Sequence, residues 1–250
     1  MSARNPFLAP EVKSRRGGPV KPPLSRDIIV KSTLDLLTQE GLEQVSLRKV
    51  AALLDTGPAS LYAYVEDLQE LYALVLDRAL ADVDTVGNPR RDWRQRLDAL
   101  LQSYFHVLVR SPGLAQLALT IVALGPNALR IIEALLGLLQ EAGIDTGTAA
   151  WAVDLISLHV TANAAEKSYR RKLPSEFIGT IARALDAVSE AEYPRIHAVH
   201  NDLVGGTGHE RFTWAVDVLI AGILETPRSL TKGKPKSTTA RTRKKTSRVR

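Results

Sequence analysis

Apolar residues in the first third of the chain recur at helical spacing and are punctuated by helix caps. Ile28, Ile29, Leu34, Leu36 and Leu37 leave one polar face. Ser25 stands where an N-cap belongs, with Leu24 and Ile29 placed as a hydrophobic staple, so the spacing predicts a helix from Ser25 to just before Gly41. Ser46 caps a second helix, stapled by Val45 and Val50, which is expected to turn Val50, Ala51, Leu53 and Leu54 inward. "DTG" at 55–57 reads as the turn. Pro58 then takes the first position of a third helix over 58–64, where its missing N–H costs nothing. Asp67 and Glu70 form a capping-box-like pair for a fourth helix running to about Asp82.

"DTVGNP" at 84–89 breaks the pattern. Longer apolar helices are predicted over 91–110, 114–124, 127–142, 147–171, 175–191 and 209–225. Pro112-Gly113, Gly125-Pro126, Gly143, Pro174 and Gly205-Gly206 separate them. No useful strand alternation and no solenoid-length repeat appears. The expected fold is all-α, a small N-terminal helical unit followed by a larger helical domain.

Composition supports this. Leu and Ala dominate, aromatic content is 5%, and 250 residues suffice to bury a real core. The absence of cysteine excludes a disulfide framework and thiolate chemistry, and suits a reducing cytoplasm. The N-terminus lacks the apolar core of a signal peptide, and no apolar run approaches a membrane span.

Charge changes the picture more. Residues 230–250 hold nine basic residues and no acid, and residues 1–27 carry +4. A total of +6 therefore leaves −7 for residues 28–229. An acidic body sits between two basic arms, and such arms, rich in Pro, Gly, Ser and Thr, are expected to be disordered and to touch nucleic acid or another polyanion. The expected organisation is a basic arm at 1–24, a helix-turn-helix unit at 25–83, a helical domain at 84–227 and a basic tail at 228–250.

Two helices joined by a tight glycine-bearing turn are the framework of a helix-turn-helix DNA reader, whose second helix enters the major groove. Here its first residues are Pro58, Ala59 and Ser60, with Tyr62 and Tyr64 one turn on. Ser60 can donate to or accept from a base or phosphate, Pro58 and Ala59 can pack on a thymine methyl, and the tyrosines can bond phosphates. The i, i+2 spacing of the tyrosines puts them on different faces, so at most one is expected in the core.

The stretch "GLEQVSLRKVAALLDTGPASLYAYVEDLQELYALVLD" (41–77) resembles the DNA-binding region of the tetracycline-repressor family of bacterial transcription regulators. The likeness rests on Gly41 after the first helix, "SLRKVA" at 46–51 and "LYAYV" at 61–65. The segments 92–113, 138–144, 157–164 and 212–224 are similar to the ligand and dimer domain of the tetracycline repressors themselves. The resemblance implies a cytoplasmic bacterial regulator, with an N-terminal three-helix DNA-binding domain and a ligand-binding and dimerisation domain behind it. It places Ser46, Arg48, Pro58, Ala59, Ser60, Tyr62 and Tyr64 against DNA. Many relatives carry a phosphate-binding lysine where this chain has Leu68, so the positive charge is expected from Arg26, Lys31, Arg48 and the arms, including "KSRRGGPVK" at 13–21.

The same resemblance implies a small-molecule effector, with Leu100, Tyr104, Leu117, Thr120, Leu135, His159 and Asn163 as candidates for its pocket or simply for the core. In the tetracycline repressors a histidine at the position of Leu117 binds drug-chelated magnesium; leucine cannot, so a largely apolar organic ligand is expected, with no metal and no cofactor. Helices 147–171 and 209–225 are expected to pair with their symmetry mates. Ala149, Ala150, Ala152, Ala162, Ala164, Ala165, Ala215, Ala221 and Gly222 would allow close approach, and Trp151 and Trp214 would anchor the seam. A homodimer implies a pseudo-palindromic operator in double-stranded DNA. The rival readings are an architectural DNA-binding protein, prompted by the tail, and an enzyme. His197, His200 and His209 are a weak metal signal, since the i, i+3 pair sits in a loop-like stretch without matching Cys or carboxylates. No nucleotide-binding or hydrolase motif occurs.

Overall fold

A computed structural model describes residues 5–10, 12, 23–111, 113–122, 124–174 and 176–228. The stretch at 13–21 lies wholly outside these residues, as does the tail beyond Arg228.

The described chain is helical. A 3-10 turn at Pro6–Leu8 precedes α1 (Arg26–Glu40), α2 (Leu47–Leu53), α3 (Pro58–Leu61) and α4 (Leu68–Leu80). Then follow α5 (Trp93–Arg110), α6 (Leu114–Thr120), α7 (Pro126–Glu141), α8 (Thr146–Arg170), α9 (Glu176–Asp186), α10 (Pro194–Val204) and α11 (Gly208–Glu225). The predicted caps are in place. Ser25 Oγ accepts from Ile28 N at 3.2 Å, Ser46 Oγ from Lys49 N at 3.2 Å, and Asp67 Oδ1 from Glu70 N at 2.7 Å. Glu70 reaches back one residue past the N-cap of a regular capping box, accepting from Glu66 N at 2.6 Å.

Four boundaries differ from expectation. α3 ends at Leu61 and passes into a turn. α6 stops at Thr120 and α9 at Asp186. The stretch with His197 and His200, expected as loop, forms α10, with Pro194 at its start and Gly205 at its end. Within α2, Leu53 points outward at 57% exposure, because the helix presses only Val50 and Ala51 fully inward.

One apolar core runs through both units. α4 is the shared wall: α1 packs on one side, α6 and α7 on the other. α8 lies against α5, α6 and α7, and α11 against α8, while α9 and α10 pack chiefly on each other. The turn between α5 and α6 closes on the N-terminal unit, where Ser111 Oγ meets Thr38 Oγ1 at 2.9 Å. Gly113 there has φ +88, and a side chain on it would run into Leu42 at 2.6 Å. Only glycine satisfies both the backbone and the close approach.

Candidate nucleic-acid interface

The helix-turn-helix is built from a few local bonds. After α2, Asp55 takes the left-handed conformation (φ 47), and Thr56 N donates to Ala51 O at 2.9 Å. The tight residue of the turn is therefore Asp55. Gly57 is extended (φ −81, ψ 149) and serves as the N-cap of α3. Beyond α3 the chain stays coiled, with Tyr64 N and Val65 N both donating to Leu61 O at 2.8 and 3.0 Å. Leu61, Tyr64 and Val65 are buried beneath this stretch. Pro58, Ala59, Ser60, Tyr62 and Ala63 are exposed above it. Lys31 on α1, Ser46 at the cap of α2 and Arg48 on α2 are exposed as well.

Two expected DNA contacts sit differently. Tyr64 is 5% exposed, and its hydroxyl donates to Leu24 O at 2.9 Å. It belongs to the core, which leaves Tyr62, at 57% exposure, as the tyrosine able to face a duplex. Arg26 is half-buried, and its guanidinium donates to four carbonyl contacts. Nε and Nη2 reach Tyr64 O at 3.3 and 3.2 Å, and Nη1 reaches Pro6 O and Ala9 O, each at 3.3 Å.

The candidate ligand residues divide into two groups. Leu100, Leu117 and Leu135 are core side chains. Leu100 also lines a cleft of about 220 Å³ with Arg96 and Leu138. Thr120 is exposed at the end of α6, its hydroxyl donating to Gln116 O and Leu117 O in its own helix at 3.1 and 3.2 Å. Tyr104 on α5 and the pair His159 and Asn163 on α8 have separate partners. Tyr104 Oη meets Thr161 Oγ1 at 3.1 Å, and the His159 ring stacks on Phe212 at 5.6 Å. Phe212 in turn packs on Phe105 at 5.2 Å. Asn163 Nδ2 donates to His159 O at 2.8 Å. Burial holds the His159 imidazole pKa below its ordinary value and raises that of Tyr104. A larger cleft, about 560 Å³, lies elsewhere, between Trp151 and Leu155 on α8 and Ile223 on α11.

The expected seam helices carry exposed apolar stripes at helical spacing, Trp151, Leu155 and Leu158 on α8 and Trp214 and Val218 on α11. Ala150, Ala162, Ala221 and Gly222 are exposed beside them. Ala149, Ala152 and Ala164 are instead buried within the chain's own core, where they let α8 sit close to its neighbours.

Sequence reasoning missed a junction between the two units. Asp77 on α4 is 4% exposed and caps α7, accepting from Asn127 N at 3.1 Å and Ala128 N at 2.9 Å, and from Asn127 Nδ2 at 3.0 Å. Arg130 on α7 answers by donating to Ala81 O at 3.0 Å, past the end of α4. Each helix thus satisfies orphan backbone groups of the other. The available signal was a lone acid inside the apolar run "LYALVLDRAL".

Comparison with known proteins places this geometry among relatives. Residues 86–226 match the family model described as the tetracyclin repressor-like C-terminal domain. An HTH-type transcriptional regulator of Saccharopolyspora erythraea is 31% identical over 221 residues, covering 88% of this chain and 91% of that protein. The HTH-type transcriptional repressor DrrR1 of Streptomyces coeruleorubidus is 30% identical over 221 residues, covering 80% of each. The crystal structure of ActR from Streptomyces coelicolor in complex with actinorhodin superposes with a TM-score of 0.76 at 31% identity, covering 82% of this chain and 98% of that one.

Proposed function

The chain belongs to the tetracycline-repressor family of bacterial transcription regulators, and from that membership we propose that it is a homodimeric repressor released from a pseudo-palindromic operator by a small, largely apolar organic molecule. Family members are not enzymes, and relatives bind small molecules, as ActR binds actinorhodin. The observation that carries the DNA reading is the open face of α3, where Pro58, Ala59, Ser60 and Tyr62 stand exposed over a buried base of Leu61, Tyr64 and Val65. Residues presented this way have no packing role and are free to meet base edges.

Two further observations support the rest. The apolar stripes on α8 and α11 stand exposed, with Arg228 over the Trp151 ring at 4.0 Å, and a second copy would bury them in a four-helix seam. Leu117, at the position of a metal-binding histidine in the tetracycline repressors, is 2% exposed, so the sensor interior around it is apolar. Among the described residues no helix is long and apolar enough to cross a membrane.

The test is selection of duplexes from a random library by the full-length protein. A two-fold symmetric sequence should be enriched, and small organic compounds, actinorhodin among them, should then be screened for release. Enrichment of no sequence above background, or only of an asymmetric one, would overturn the reading.

A further inference from the structure

We propose that Asn5–Ala9 form a strap which, through Arg26, fixes the reading helix against the sensor domain, so that Arg26 is a positioning residue and not a phosphate contact. The inference rests on the proposed DNA reading by α3.

The strap is a built element. Asn5 Oδ1 caps it by accepting from Phe7 N at 3.0 Å, and Leu8 N donates to Asn5 O at 3.2 Å. Its contacts run in two directions. Toward the reading head, Pro6 O and Ala9 O accept from Arg26 Nη1, while Nε and Nη2 of the same guanidinium hold Tyr64 O. Tyr64 closes the coil that begins at Pro58, and its hydroxyl is tied to Leu24 O, so the segment 24–26 grips the end of the reading turn at both its carbonyl and its side chain. Toward the sensor, the half-buried Phe7 ring packs beside Gly125 and Asp77, where a side chain at Gly125 would collide with both. Asp77 is the residue that caps α7. A continuous path of contacts therefore joins the reading turn to the start of α7 through Arg26 and the strap. A planar guanidinium spreads its donors over three nitrogens and spans carbonyls on both sides; a lysine ammonium holds its three on one atom.

This arrangement separates two roles that a cation near DNA can play. A phosphate contact supplies affinity to any duplex and contributes to the salt slope. A positioning residue supplies specificity and leaves the slope alone.

The experiment uses the full-length protein, the duplex it enriches from the random library and a scrambled duplex of equal length. Arg26→Gln, Arg26→Lys, deletion of residues 5–9, and the deletion combined with Arg26→Gln are titrated across salt concentrations. We expect each single change to weaken the enriched duplex by about fivefold or more, with the scrambled duplex within about twofold. The slope of log K against log[salt] should be unchanged, Arg26→Lys should fail to rescue, and the combined variant should lose little beyond the deletion alone. Equal weakening on both duplexes with a slope smaller by about 0.9 per lost contact, or full rescue by Arg26→Lys, would make Arg26 a phosphate ligand and overturn the proposal. Fully additive losses would sever the strap from Arg26 and overturn it too. Phe7→Ala replaces any Arg26 variant that fails to fold, and should reproduce the specificity loss. Failure of the wild-type protein to enrich any duplex would be a failure of the DNA reading, not of the strap.

Discussion

Tyr62 and Tyr64, two positions apart, divide the labour of the reading turn. Tyr64→Phe removes the buried hydroxyl that donates to Leu24 O, which should cost about 1–3 kcal/mol of stability in denaturant titration. Tyr62→Phe should leave stability unchanged and weaken DNA binding. The reverse pattern would exchange their roles. Sequence spacing established that the two face apart, yet the choice between them depended on the neighbours each side chain meets, and those come from α1 and the segment before it. His159 is a second residue with a readable consequence. Its folded pKa is depressed by burial, so the neutral ring is the form the fold favours. Its contribution is complete above the ordinary imidazole value and is lost as pH falls through the lower folded one. Melting temperatures of wild type and His159→Gln should therefore converge as pH drops from 7.5 toward 5. A gap in favour of wild type that widens on acidification would contradict the assignment.

Among the elements, α4 and α7 bear most directly on coupling. The buried Asp77 cap serves two backbone amides and one side-chain amide. Asp77→Ala should cost about 1–3 kcal/mol in denaturant titration, and Asp77→Asn less, because it keeps one acceptor. Equal stability in both variants would mean that solvent replaces the cap. Helix existence was legible wherever caps, as in α1, α2 and α4, or proline and glycine breakers, as around α5, α7, α8 and α11, bounded a broad apolar face. α10 escaped because it buries no residue in the chain's own core, so its Ile196, Val199 and Leu203 do not stand out against a polar background. The strap escaped for a different reason: three residues of 3-10 turn carry no periodicity, and only its carbonyl contacts to Arg26 reveal it. The helix-turn-helix was the most legible part of the candidate site, since its caps, turn and proline are local signals. The arrangement of Tyr104, His159 and Asn163 was only partly so. His159 and Asn163 share a helix face by spacing, whereas Tyr104 meets Thr161, on another face of α8, across a packing that no local pattern encodes.

At the scale of the molecule, the account requires two copies. Leu158→Glu and Trp214→Glu each place a charge in the apolar stripe of one seam helix. Both should shift sedimentation from dimer toward monomer and reduce operator affinity together with it, because half-sites bound singly forfeit the linkage between them. A monomeric variant with full operator affinity would separate dimerisation from DNA binding. The acidic body and the exposed reading face fit one scheme, in which recognition is carried by polar and apolar side chains at the start of α3 while charge is drawn from outside it. Ser60 tests that scheme most directly. Affinities of wild type and Ser60→Ala are measured on the enriched duplex and on a scrambled one at a single salt concentration. The account predicts a loss of about 1–3 kcal/mol on the enriched duplex and no change on the scrambled one. Equal weakening on both, or no weakening on either, would contradict it.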